Sequence, residues 1–204
     1  PSSLFYINSL FYLPIIKFYT FNFAQLYIFL FGLIYLYKRI FDKLNKDSFI
    51  FFYSLLAFVF IIVVFYRLAE HGTDRSGQII LFIIFVLIFD ILKDKFINFN
   101  KVNILLILLI YIITIKTYFI IYVLLFLPII FKIENYRSFQ KLFFSKLIIF
   151  SLIFLILHFN IQVANTGCLL YPMNFTCYSG FEWSINKNEV ILMGEWYELW
   201  AKSG

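Results

Sequence analysis

The chain is short of charge. Asp, Glu, Lys and Arg make up 14% of its 204 residues, while 63% are hydrophobic and 24% aromatic. A soluble domain carries about 25% charged residues. The mean hydropathy of +0.92 excludes that class, because no surface built from so few charges could avoid large exposed apolar patches. Histidine is nearly absent, with only His71 and His158, and no Cys, Asp or Glu joins either at a zinc spacing. No structural metal is therefore expected. Ala, Gly and Pro are scarce beside Phe, Ile, Tyr, Asn and Lys. An AT-rich coding sequence produces that bias by itself, so a Phe-rich face is read as lipid-facing filler. What is there is apolar and segmented, and the class is polytopic membrane protein.

Apolar runs separated by charge predict helices over residues 22–37, 49–66, 79–92 and 147–159, and one longer apolar stretch over 103–131. As one straight helix that stretch would be about 44 Å long, too much for a core of about 30 Å. As a hairpin turning at Ile115-Lys116-Thr117, its arms are short, about 20 Å each at the helical rise. Charge decides between them. With the hairpin, the linkers 38–48, 93–102 and 132–146 fall on one side. They hold Lys38, Arg39, Lys43, Lys46, Lys93, Lys95, Lys101, Lys132, Arg137, Lys141 and Lys146, most of the 17 basic residues. The positive-inside rule places them in the cytoplasm. The expected fold is all-α: a bundle of about six membrane segments over residues 1–159, followed by an outer segment over 160–204. The net charge of +6 belongs to the inner loops and implies no nucleic-acid partner.

The other side then carries residues 1–20, the linker RLAEHGTDRSGQ, the Lys116 turn and the C-terminal segment with Cys168 and Cys177. A periplasmic or extracellular position would let a disulfide persist. A Cys168–Cys177 bridge would add roughly 2–3 kcal/mol in the chain-entropy model; two free thiols are the alternative. LFYINSLFYLPII, residues 4–16, is too short to span and is expected at the interface. PSSLFYINSLF has no basic n-region and no small-residue cleavage site, and the chain, opening on Pro1, reads as an internal stretch of a longer protein.

RLAEHGTDRSGQ places Glu70, His71, Asp74 and Arg75 within six residues between two membrane helices. One reading is structural: Gly72-Thr73-Asp74 forms a turn, Asp74 caps the helix starting near Arg75 or Ser76, and Glu70 pairs with Arg75. The other is a site, in which Arg67 and Arg75 hold a lipid-linked phosphate and Glu70, His71 or Asp74 serves hydroxyls or a proton. Lys116 either reaches water or binds a phosphate at the outer interface. Asp90 is read as a snorkelling pair with Lys93, and His158 as a helix-end histidine. NTGCLLYPMNFTCYSGFEWS, residues 165–184, gathers Tyr171, amides and aromatics around the cysteines. That suits a sugar surface or a plain stapled loop. Asn174-Phe175-Thr176 is a glycosylation sequon, relevant only in a eukaryotic secretory route. Residues 185–202, with Trp196, Tyr197 and Trp200, predict an amphipathic helix at the outer surface.

PSSLFYINSLFYLP, RLAEHGTDRSGQ and NTGCLLYP together resemble three blocks of an uncharacterised bacterial family of polytopic membrane proteins. That family is associated with surface-polysaccharide synthesis and resembles GT-C membrane glycosyltransferases. The resemblance implies a multi-pass protein of the bacterial inner membrane with its C-terminal segment outside. It implies transfer of a sugar from a polyprenyl-phosphate donor to a glycan acceptor, metal-assisted or metal-free, and no cofactor is expected. The acidic catalytic residue of such enzymes lies in a first outer loop, which would precede Pro1. Asp74, Glu70 and His71 remain catalytic candidates, with Arg67, Arg75, Lys116 and Tyr171 as substrate-binding ones. A polysaccharide polymerase or ligase, or a non-enzymatic transport or assembly subunit, are the other functions that fit.

Overall fold

The computed structural model describes residues 2–10, 22–41, 48–66, 74–132 and 144–202. These residues are mainly helical, with no strand among them and one isolated antiparallel bridge between Cys168 and Cys177. The chain divides into two compact units, Ser2–Ser151 and Leu152–Gly204.

In the first unit, α2 (Phe23–Phe41), α3 (Ser48–Val63) and α5 (Phe99–Ile115) all pack on α4 (Asp74–Lys93). The sequence of α4 explains its central place. IILFIIFVLIF is apolar on every side, as a helix surrounded by others must be, and Ile79, Ile83, Ile84, Val86 and Ile91 are buried. The helix begins earlier than the apolar run, because Asp74 to Gln78 form a polar first turn. Among the described residues three helices are long and apolar enough to cross a membrane: α2, α4 and, further on, α7 (Lys146–Thr166).

The stretch 103–131 turns back at Lys116, as expected. α5 stops at Ile115, Lys116 is extended, and a 3-10 helix (Thr117–Phe126) leads into α6 (Leu127–Lys132). Lys116 touches Asp74 at one end of α4. At the other end the Lys132 ammonium donates to the carbonyls of Ile91, Leu92 and Asp94, at 2.8, 2.8 and 2.5 Å. The returning arm therefore runs the full length of α4. The 10 residues of the 3-10 helix and the 6 of α6 are fewer than the 20 of α4. Wound as α-helix the arm would reach about 24 Å, against about 30 Å for α4. At the 3-10 rise of about 2 Å per residue over its first part, it reaches roughly 29 Å. The arms are thus not both short: a 3-10 helix well beyond the usual few residues lets the second match α4. Its buried side follows a three-residue period from Phe119 through the partly buried Tyr122 and Leu125, with Phe126 buried next to it, while Tyr118, Ile121, Leu124 and Leu127 are exposed. Gly77 admits this packing, since a Cβ there would stand 2.2 Å from the Phe119 ring.

Residues 4–16 were expected at the interface, and the described part does not lie free there. α1 (Ser3–Leu10) packs on α2 and α5 and buries Ser3, Leu4 and Asn8. Side-chain amides explain the difference. Asn8 donates to Gln25 at 2.8 Å and accepts from the Ala24 N–H at 2.9 Å, satisfying a first-turn amide of α2. The Thr114 hydroxyl of α5 donates to the Tyr111 carbonyl at 2.7 Å and is hydrogen-bonded with the Ser3 hydroxyl at 3.0 Å.

In the second unit, α7 runs on to Thr166 and ends at Gly167, whose φ of +74° makes it a left-handed terminating glycine. Cys168 and Cys177 are joined in a disulfide. The Tyr178 N–H donates to the Gly167 carbonyl at 2.8 Å, and the Ile185 N–H to the Thr166 carbonyl at 3.2 Å. α8 (Lys187–Lys202) is the expected amphipathic helix. Val190 is buried, and Leu192, Trp196 and Leu199 form an exposed stripe at helical spacing.

Candidate functional site

The candidate site of the first unit is the start of α4 with the hairpin tip. Asp74 occupies the first helical position, where the helix dipole favours a carboxylate. Its side chain pairs with the Lys116 ammonium, and both side chains are 38% exposed. Asp74 is thus an ion-pair partner of the hairpin tip, and it lies inside the first turn of α4 where a cap before that turn was expected. Lys116 also stands 5.7 Å from the centroid of the Tyr118 ring. Arg75 donates to Gln78 at 2.9 Å, one turn on. Ser76 is buried, and its hydroxyl has no hydrogen-bond partner among the described residues. Arg67, Glu70 and His71 lie outside the described residues, as does the expected Glu70–Arg75 pair.

The structure therefore brings Asp74, Arg75 and Lys116 to one end of the bundle. Chemically this is a carboxylate with two cations, one of them the planar guanidinium that binds phosphate bidentately. At the edge of an apolar bundle their mutual interactions are stronger than in bulk water.

Tyr171 belongs to the second unit and is described with it. Burial, then Tyr197 and Glu189 of α8, raise its hydroxyl above the ordinary tyrosine value. α8 presents an open concavity of about 620 Å³ lined by Glu189, Leu192, Met193, Trp196 and Tyr197. Phe181 and Trp183 stack nearly parallel, with centroids 4.7 Å apart.

Two further expectations need correction. Asp90 pairs with Arg39 of α2, a partner that the nearer Lys93 concealed in the sequence. Asp94 pairs with Lys101 at 2.6 Å. His158 is not at a helix end: α7 continues to Thr166, and the histidine is buried within it beside Phe159. Sequence reasoning missed the buried Asn8–Gln25 and Ser3–Thr114 pairs, whose only trace is a polar residue one helical turn from an apolar one. Among the described residues no three His, Cys, Asp or Glu side chains gather as metal ligands.

A family model described as Domain of unknown function (DUF8201) matches residues 1–203. No curated protein matches the chain, and no solved structure does.

Proposed function

The chain belongs to the DUF8201 family, a domain of unknown function, and from its residues we propose that it is a GT-C-like membrane glycosyltransferase of cell-envelope polysaccharide assembly. Six segments cross the bacterial inner membrane: α2, α3, α4, α5, the 117–132 arm and α7. The positive-inside count over the linkers supports this, and so does the roughly 29 Å reach of the arm. The Asp74–Lys116 end and the disulfide segment then face outward.

The Asp74–Lys116 pair carries the reading. A polyprenyl-phosphate-linked sugar would place its phosphate between Arg75 and Lys116. The phosphate takes the ammonium, and Asp74 is released beside the reacting sugar. The acceptor hydroxyl attacks the anomeric carbon, the carbon–oxygen bond to phosphate breaks, and the proton passes to the Asp74 carboxylate. Polyprenyl phosphate leaves, its charge held by the same two cations. The exposed aromatics around Tyr171 suit the sugars of a glycan acceptor.

A non-enzymatic transport or assembly subunit is the second reading, because the same ion pair can act as a latch between α4 and the hairpin. The surface-glycan profile of a deletion strain, complemented with wild type or Asp74→Asn, separates them. A glycan one sugar short, rescued by wild type alone, is the expected outcome. Lost chain length with intact repeat units would indicate a polymerase or ligase. Full rescue by Asp74→Asn removes the role of its charge, and an unchanged deletion strain removes the polysaccharide reading.

A further inference from the structure

The 3-10 arm is long for its kind. Runs beyond about four residues are uncommon, because the 3-10 hydrogen bond is poorer than the α-helical one. Thr117–Phe126 keeps that winding for 10 residues. Its sequence, TYFIIYVLLF, holds no glycine or proline that would stop an α-helix. Its burial does not require the 3-10 form either. Phe119, Phe126 and Ile129 are buried, and Tyr122 is partly buried. Those positions, at i, i+3, i+7 and i+10, make an α-helical face: at about 100° per residue they fall within roughly 80° of arc. At about 120° per residue, Phe126 stands roughly 120° from Phe119. The same large side chains can therefore pack on α4 in either winding. Pro128 has no N–H and bounds the segment that can rewind.

The two ends hold the arm long. Lys132 is fastened to three carbonyls at the Lys93 end of α4, and Lys116 is paired with Asp74 at the other. Rewound as α-helix, the same residues would be about 5 Å shorter. With Lys132 in place the shortening falls on the outer end. Lys116 would leave Asp74, and Phe119 would be drawn about 3–4 Å along α4. That clears Gly77, which lies against the Phe119 ring one turn from Asp74.

We propose that the arm is a two-state element: a long 3-10 helix while Asp74 holds Lys116, and a shorter α-helix once that pair opens, its retraction uncovering the start of α4. A pair exposed on both sides is worth only a few-fold in an equilibrium constant, so an anion that competes for Lys116 tips the balance. In glycosyl transfer the donor phosphate would be that anion; this trigger rests on the glycosyltransferase reading, and the tether does not.

Pulsed electron spin resonance on the full chain in proteoliposomes tests it, with nitroxides at Tyr118→Cys and Phe131→Cys, both exposed positions. Cys168 and Cys177 are joined to each other, so the introduced cysteines take the label. The two backbone sites lie about 24 Å apart with the 3-10 winding and about 20 Å apart with α-helix throughout. Wild type should show mainly the longer distance. Asp74→Asn and Lys116→Met should each raise the ratio of short to long arms about two- to fivefold, and the double variant no further than either. Lys202→Met, which breaks the exposed Lys202–Glu198 pair of α8, should leave the ratio unchanged. The same distances in wild type, Asp74→Asn and Lys116→Met overturn the proposal. So does a wild type already at the shorter distance, or a shift that Lys202→Met reproduces. A glycan lost in Asp74→Asn with no change in distance overturns the switch and leaves the glycosyltransferase reading standing; a shifted distance with an intact glycan does the reverse.

Discussion

Both ends of α4 are charged, and they are built differently. At the Lys93 end, Arg39 pairs with Asp90 at 20% and 13% exposure, and Lys101 pairs with Asp94. Lys132 spends its ammonium on three carbonyls, including those of Ile91 and Leu92 in the last turn of α4. These are groups a helix end leaves unsatisfied, and a cation there also complements the dipole. Among the described residues, the Asp74 end shows one ion pair, 38% exposed on each side, a bond from Arg75 to Gln78, and Ser76 without a partner. Among the described residues one end is fastened, and the other has bonding capacity left over. The number of charges does not separate structure from site here; what separates them is how many donors and acceptors already have partners.

The comparison breaks most readily at the fastened end. Lys132→Met removes all three carbonyl contacts and keeps the stem. It should lower the stability of the first unit by about 2–4 kcal/mol, seen as an earlier unfolding transition in detergent by circular dichroism. A variant within about 0.5 kcal/mol of wild type, the range of an ordinary surface substitution, would mean that this end is not fastened by Lys132.

The next effect lies between the two ends. Gly77→Ala puts a methyl 2.2 Å from the buried Phe119 ring. Overpacking should cost about 1–3 kcal/mol. Adding Phe119→Leu should recover part of the loss, with a coupling of at least about 0.5 kcal/mol in the double-mutant cycle. Additive effects would mean that the 3-10 arm does not bear on α4 at this glycine.

Much of the bundle was legible in the spacing of its apolar runs. Residues 22–37 and 49–66 became α2 and α3 within a few positions. The break at Lys116 was legible because a lone cation inside an apolar stretch needs a membrane surface, and because the basic loops then sort to one side. The 3-10 winding of Thr117–Phe126 was not legible, since it answers to the length of α4, a fact of tertiary packing. The burial of α1 was hidden because the polar residues of LFYINSLF look the same facing headgroups as facing Gln25. Asp90 was assigned to Lys93 by proximity along the helix, and its observed partner Arg39 comes from α2. Of the candidate site, Asp74, Arg75 and Lys116 were each picked out by their charge, but the touch between Asp74 and Lys116 appears only once the hairpin has folded. Cys168 and Cys177 were legible as a pair, because the inferred outer side permits a disulfide and the two lie close in sequence.

The smallest effect on stability sharpens the comparison most. Asp74→Asn keeps the shape and the polar character of the side chain and removes its charge. The pair it breaks is more than one third exposed on both sides, so solvent screening holds its contribution below about 1 kcal/mol. Lys116→Met should cost a similar amount, and the double variant little more than either single one. Chemical denaturation of the purified variants measures all three. If Asp74→Asn destabilises the chain as much as Lys132→Met does, the Asp74 end is fastened too, and the distinction on which the site rests is lost. If it is nearly neutral in stability while the strain carrying it loses its glycan, the charge at Asp74 serves the reaction and not the fold.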